Sequence, residues 1–417
     1  MKRILHYLIL AIVLLGAPAL CAWLGGYDEI WEGVKSFPPR TEDWGFQPEK
    51  LWNHRCPFSW PWFIGLSLFT FVCLRPLVKR CLKSLVHGAW CLVPSAELKH
   101  KDIHGTSAPS TKHQALGTKH QALGTFPWWG WLGVVILASG WILSWNYHFR
   151  WFPPLPERAQ VQLSYAPVWA GFILLVNALC VKRSGHSPMT DHPWAYAALF
   201  PASSLFWWFF EYLNRYVWNW YYVGISHLGA IEYTVYATVC FASVLPGVCS
   251  VAAFLHTFRP FADENYANMG KVNMRGWRAI SVLSFVAALG LAGIVFFPRY
   301  TFPLLWLSPL MVFLLVQVAL KEPCALDCLA VGNWSVVFRF ALAALICGLC
   351  WETWNYYALA KWIYSVPFVH RFQIWEMPLI GFGGYLPFGM ECAAVTAWIC
   401  PALIENENVA LCAGASA

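Results

Sequence analysis

The sequence predicts an all-α, polytopic transmembrane helix bundle of about ten spans. Three observations carry this. Of 417 residues, 59% are hydrophobic and only 12% charged, about half the roughly 25% charge of a soluble chain. Ten apolar segments approach the about 20 residues that cross a bilayer core about 30 Å thick. Trp-rich stretches such as SWPWF and FPWWGW open several segments, as interfacial aromatic belts do. A mean hydropathy of +0.49 agrees. This composition excludes a disordered chain, a soluble enzyme fold and a small disulfide scaffold.

In chain order the predicted spans are 4–24, 59–78, 126–146, 164–181, 194–212, 230–256, 279–297, 302–320, 335–352 and 375–402. The first resembles a signal peptide, with Lys2 and Arg3 before an apolar run. Cleavage after Ala22 would put Leu20 where a small residue is needed, so an uncleaved helix is expected. Pro303 and Pro309 interrupt the eighth. The expected units are an amino-terminal helix pair with outer loop 25–58 (1–83), a loop (84–125), a second helix pair (126–190), a first repeat (191–330) and a second repeat (331–417).

Lys and Arg placement sets the orientation. With the amino terminus inside, 18 of the 28 Lys and Arg fall on inner loops or inner helix ends. The expected location is therefore a bacterial inner (plasma) membrane, multi-pass, with both termini cytoplasmic. The net charge of +7 reflects these loops rather than nucleic-acid binding. Only Cys56 of the 15 Cys falls in an outer loop, so no structural disulfide is expected. Cys347 and Cys350 form a CxxC within an apolar helix and read as packing residues. Cys324 and Cys328 with Asp327 lack the second pair a zinc site needs. TKHQALG at 111–117 recurs at 118–124, a tandem copy in a tolerant loop.

The second half of the chain holds a subtler repeat. FFEYLNRYVWNWYYVG and CWETWNYYALAKWIYSV match at a constant spacing of 141 residues (211 to 352, 214 to 355, 216 to 357). After a one-residue slip Trp220 and Tyr222 match Trp362 and Tyr364. His227 and Glu232 match His370 and Glu376 with small gaps, and Leu245–Pro246 matches Leu386–Pro387 at 141 again. Both copies enter the membrane from the same side, so the expected relation is two parallel repeats. Glu and Asn of each ExxN share one helix face.

The candidate site residues are Glu211, Asn214, His227, Glu232, Glu352, Asn355, His370 and Glu376, gathered at the outer face. A buried carboxylate suits acid/base work, His a proton relay, Asn orientation, and Trp and Tyr an apolar ligand. Glu391 is the ninth. It follows Pro378, Gly381, Gly383, Gly384, Pro387 and Gly389, which are expected to break the last helix. If the segment were helical, Glu391 would lie about 22 Å from Glu376. An ionisable group at that depth is expected to face the bundle, with Arg339 or an unwound carbonyl as partner.

FFEYLNRYVWNWYYVG and WEMPLIGFGGYLPFGMEC resemble signatures of an uncharacterised family of bacterial polytopic membrane proteins. That resemblance spans the last 210 or so residues and implies no activity. In layout, the W-x-Y elements Trp220/Tyr222 and Trp362/Tyr364 are also similar to the lycopene cyclase domain. That family's Pro-x-Glu-Glu cluster is absent; Glu232 and Glu376 supply one acid each. No P-loop, dinucleotide fingerprint or HExxH occurs, so no cofactor or metal is expected. The expected partners are the lipid bilayer and a lipid or isoprenoid ligand, with no nucleic acid; nothing in the sequence sets the oligomeric state. Three functions stay open: an enzyme acting on a lipid or isoprenoid at the outer leaflet, a secondary transporter using Glu391, and a structural or assembly protein.

Overall fold

The computed structural model describes residues 2–26, 56–86, 124–163, 165–258, 261 and 263–404. Most of loop 25–58, nearly all of loop 84–125 with its tandem heptapeptide, and the carboxyl terminus lie outside the described residues.

The helices are α1 (Lys2–Leu24), α2 (Trp60–Val86), α3 (Trp128–Phe149), α4 (Glu157–Gln162), α5 (Tyr165–Ser184), α6 (Pro188–Asp191) and α7 (Pro193–Val217). Strand β1 (Trp220–Val223) follows, then α8 (Ala230–Phe241), α9 (Val244–His256), α10 (Trp277–Phe296), α11 (Pro298–Thr301) and α12 (Ser308–Ala319). The chain ends with α13 (Ser335–Tyr356), β2 (Lys361–Tyr364), β3 (Gln373–Ile374), β4 (Met377–Pro378) and α14 (Tyr385–Ile399). Each apolar segment of the sequence contains a helix. Among the described residues five helical stretches are long and apolar enough to cross a membrane: 128–149, 157–184, 230–256, 277–296 and 335–356. The bent pair Pro298–Trp306 and Ser308–Ala319, 47° apart, makes a sixth if it is one span. Pro303 and Pro309 sit at that break, where each removes a backbone donor.

Helix α3 packs along α5, α9 against α13, and α13 against α14. The α3–α5 contact is close because small residues face each other. A Cβ on Gly171 would lie 2.4 Å from the Leu137 nitrogen, and one on Gly133 would lie 2.9 Å from the Gly171 oxygen. In lipid, such backbone proximity replaces the hydrophobic drive that water would supply.

The last segment is not one broken span over 375–402. Residues 373–378 form the β3–β4 ribbon, 379–384 a 3-10 turn, and a regular helix begins only at Tyr385. Pro378, Gly381, Gly383 and Gly384 lie before that helix. Pro387 falls in its first turn, where the missing N–H costs nothing, and Gly389 allows contact with the Phe340 carbonyl. Glu391 is therefore near the start of α14, and a helical separation from Glu376 does not apply.

Candidate functional site

Each ExxN motif ends a long helix and organises the chain reversal after it. Asn214, near the end of α7, accepts the N–H groups of Asn219 (2.8 Å) and Trp220 (3.3 Å) on Oδ1 and donates Nδ2 to the Trp220 carbonyl (2.6 Å). Asn355, near the end of α13, accepts the Trp362 N–H (2.9 Å) and donates to the Trp362 carbonyl (2.8 Å). Each side chain thus closes onto the backbone of its W-x-Y element, satisfying groups that a helix end leaves bare.

Trp and Tyr two apart in a strand share a face, and here that face meets the glutamate. The Oε1 of Glu211 accepts the indole N–H groups of Trp207 (3.0 Å) and Trp220 (3.0 Å) and the hydroxyl of Tyr222 (2.6 Å). The Oε1 of Glu352 accepts the indole N–H of Trp362 (3.3 Å) and the hydroxyls of Tyr364 (2.6 Å) and Tyr385 (3.2 Å). Both carboxylates are buried, and Glu352 Oε2 has no hydrogen-bond partner. Strands β1 and β2 pair antiparallel, with Trp220 opposite Tyr364 and Tyr222 opposite Trp362. Burial first, and the adjacent glutamate second, hold the Tyr222 and Tyr364 hydroxyls well above the usual tyrosine range. Both stay protonated and keep donating.

Between the two halves lies a cavity of about 1120 Å³, counted with the open space at its mouth. All six donors to the two glutamates line it, together with Tyr165, Tyr233, Trp306 and Trp351. Trp207 and Trp351 bring the halves together across it, ring centroids 6.2 Å apart, and Trp306 stacks on Trp220 at 5.8 Å. No Lys, Arg, His, Asp or Glu is among its lining residues.

Of the nine candidate residues, Glu211, Asn214, Glu352 and Asn355 stand directly behind this wall. The other outer-face residues do not line it. His227 Nδ1 lies 3.6 Å from Glu157, and Glu232 lies 3.5 Å from Arg158. His370 meets Gln373 at 2.9 Å, and Glu376 pairs with Lys361 at 2.6 Å. Glu391 is fully buried inside the bundle, but Arg339 is not its partner. Its Oε1 accepts the Leu310 N–H at 3.0 Å, while Arg339 donates to the Ile404 carbonyl. Pro309 helps explain this pairing: in the first turn of α12 the backbone N–H groups have no helical acceptor, and a carboxylate at a helix start satisfies one of them.

Trp207, Trp306, Trp351, Tyr165 and Tyr385 were not singled out by the sequence. One signal for two of them was there. The position 141 residues after Trp207 is Gly348, and the position 141 before Tyr385 is Val244. The Tyr385 ring occupies the space that a side chain on Gly348 would take, 2.4 Å from a Cβ there.

Among the described residues no group of three His, Cys, Asp or Glu side chains is arranged to hold a metal. Asp327 is held by Arg275 at 2.8 Å, and burial pushes the Cys324 thiol up to about 12, the opposite of a metal-binding thiolate. Comparison of the chain with protein-family models, with curated proteins and with solved structures gave no match.

Proposed function

We propose that this is a ten-span protein of the bacterial inner membrane in which two parallel repeats enclose a lipid or isoprenoid at the outer leaflet and act on it by acid/base chemistry. One observation carries the reading. An apolar, aromatic cavity adjoins two buried carboxylates, and the groups between cavity and carboxylate are protonated N–H and O–H donors. The Tyr222 and Tyr364 hydroxyls touch both the glutamate and the cavity, so each offers a path for a proton between carboxylate and ligand. Asn214 and Asn355 act as positioning residues, since they hold the strands that carry these tyrosines.

Two further observations support parts of the reading. The antiparallel pairing of Trp220 with Tyr364 and of Tyr222 with Trp362 is what a pseudo-twofold axis between two copies would produce. Segments assigned to one side of the membrane also meet each other. Ser59 donates to the Phe368 carbonyl on the outer side, and Met269 to the Gly332 carbonyl on the inner side.

The test is photo-crosslinking of the protein in native membranes with diazirine-bearing acyl and isoprenoid probes, followed by peptide mapping. Label should concentrate on β1, β2 and residues 377–385. Label spread evenly over outward-facing side chains such as Leu205 and Ile231, 74% and 83% exposed, would remove the cavity as the binding site. Untargeted lipid profiles of a deletion strain complemented with Glu211→Gln or Glu352→Gln then read the chemistry: a precursor should accumulate.

A further inference from the structure

The cavity wall is rich in π-electron surface, and its polar groups are already engaged. Trp207, Trp220, Tyr222, Trp362, Tyr364 and Tyr385 all line the cavity, and all direct an N–H or O–H to Glu211 or Glu352. Their ring carbons remain for a ligand. Behind the rings are two buried carboxyl groups, and neither is in an ion pair among the described residues. No basic side chain lines the cavity to balance them. A buried charge needs a partner. Here the space that adjoins the donors of both carboxylates is the cavity itself.

We infer that the cavity binds an organic cation without N–H donors, a tertiary or quaternary ammonium group carried on an apolar body. The inference deepens the proposed function, on which it rests, by naming the ligand's charge class. Aromatic faces attract such cations through the ring quadrupole, more strongly where water is excluded. A phosphate or carboxylate head would meet two acids and no basic group. A primary ammonium would need three acceptors, but the Oε1 of each glutamate is already taken by three donors. A methylated ammonium asks only for π faces and nearby negative charge. Glu352 Oε2, fully buried and without a hydrogen bond, is the atom left uncompensated.

The ammonium group has two sources, a lipid head or a small free solute, and two probes separate them. The full chain in nanodiscs of neutral lipid is titrated with dodecyltrimethylammonium and with tetramethylammonium, read by quenching of the cavity tryptophans. The controls are the carbon isostere of the first probe, with tert-butyl in place of trimethylammonium, and dodecyl phosphate. The amphiphilic cation should bind about 30-fold tighter than its isostere, and dodecyl phosphate should not bind. Tetramethylammonium binding as tightly as the amphiphile assigns the site to a free solute; binding of the amphiphile alone assigns it to a lipid. In Glu211→Gln/Glu352→Gln the preference over the isostere should fall to about 3-fold or less. If that double variant does not fold, Glu352→Gln alone should lower the preference several-fold. Equal binding of cation and isostere overturns the inference and leaves the apolar cavity reading standing. Binding of neither overturns both. A preference unchanged in the Gln variants also overturns it, because the carboxylates would then not be its source.

Discussion

Glu211 and Glu352 each gather three donors on one oxygen, yet the third donor arrives from opposite directions in the two halves. In the first it comes from within the helix: Trp207, one turn before Glu211. In the second that position is Gly348, and the donor is Tyr385 from the start of the next long helix. The first half has Val244 where the second has Tyr385. Trp and Tyr have thus exchanged places across equivalent positions, keeping both the hydrogen bond and the filled volume. The comparison teaches that the carboxylate's donor set is the preserved quantity, and that the helix providing it is free to change. The halves also differ in nearby charge. Arg215 lies one turn beyond Glu211, whereas the corresponding residue beyond Glu352 is Tyr356.

The largest effect should come from forcing the second half to imitate the first. Gly348→Trp alone places a large side chain into the Tyr385 ring, where even a Cβ would sit at 2.4 Å. Overpacking of this kind costs about 3 kcal/mol or more, and thermal unfolding in detergent should show a large loss or no folded protein. Gly348→Trp/Tyr385→Val, which copies the Trp207/Val244 arrangement, should recover more than half of the loss. A double variant as damaged as the single one would break the equivalence of the halves.

Next in size are the two asparagines. Asn214→Ala strips two backbone N–H groups and one carbonyl of their partners; Asn355→Ala strips one of each. Unsatisfied buried groups cost about 1–3 kcal/mol each. Both variants should be destabilised by more than about 2 kcal/mol, Asn214→Ala the more so. The reverse order of melting temperatures would show that the second reversal depends more on its cap than the first.

Glutamate-to-glutamine changes should be milder for folding. Gln keeps an oxygen that accepts all three donors, so each variant should lose about 1 kcal/mol or less while losing function. Glu352→Gln should affect function more than Glu211→Gln, because Glu352 has no basic residue in the next turn. Equal functional loss would place both halves in one concerted site.

The smallest effect should be at Lys361, whose pairing with Glu376 at the cavity's edge has no counterpart in the first half, where Asn219 holds the corresponding place. The pair is partly exposed, so Lys361→Met should cost about 1 kcal/mol or less, shrinking further at high salt. A larger, salt-independent loss would show that this ion pair anchors the second hairpin.

Much of the site was legible because it is local. Glu211 with Asn214, and Glu352 with Asn355, are one helical turn apart, and W-x-Y puts two rings on one strand face; neither statement needs the fold. The spacing of 141 residues joined the copies. His227, Glu232, His370 and Glu376 were legible as matches but not as non-members of the cavity wall, because whether a loop side chain turns inward depends on loop geometry that no periodicity encodes. Glu391 was legible as buried, since a carboxylate within an apolar segment must be shielded. Its partner was not: Arg339 and the Leu310 N–H are both polar groups of nearby helices, and packing chose between them.

The sequence by itself determined a helical, membrane-compatible chain, the places where helices occur, and two carboxylate–amide motifs with their Trp and Tyr. These follow from composition and from periodicities of a few residues, which act over short stretches of chain. Only the tertiary structure decided that β1 pairs with β2, that Trp306, Trp351 and Tyr165 complete the wall, that Tyr385 takes the place Gly348 leaves, and that Glu391 satisfies the start of α12. Each joins residues distant in sequence through a contact of a few ångströms, and such contacts are set by how whole helices pack and by volumes that must be filled once they do.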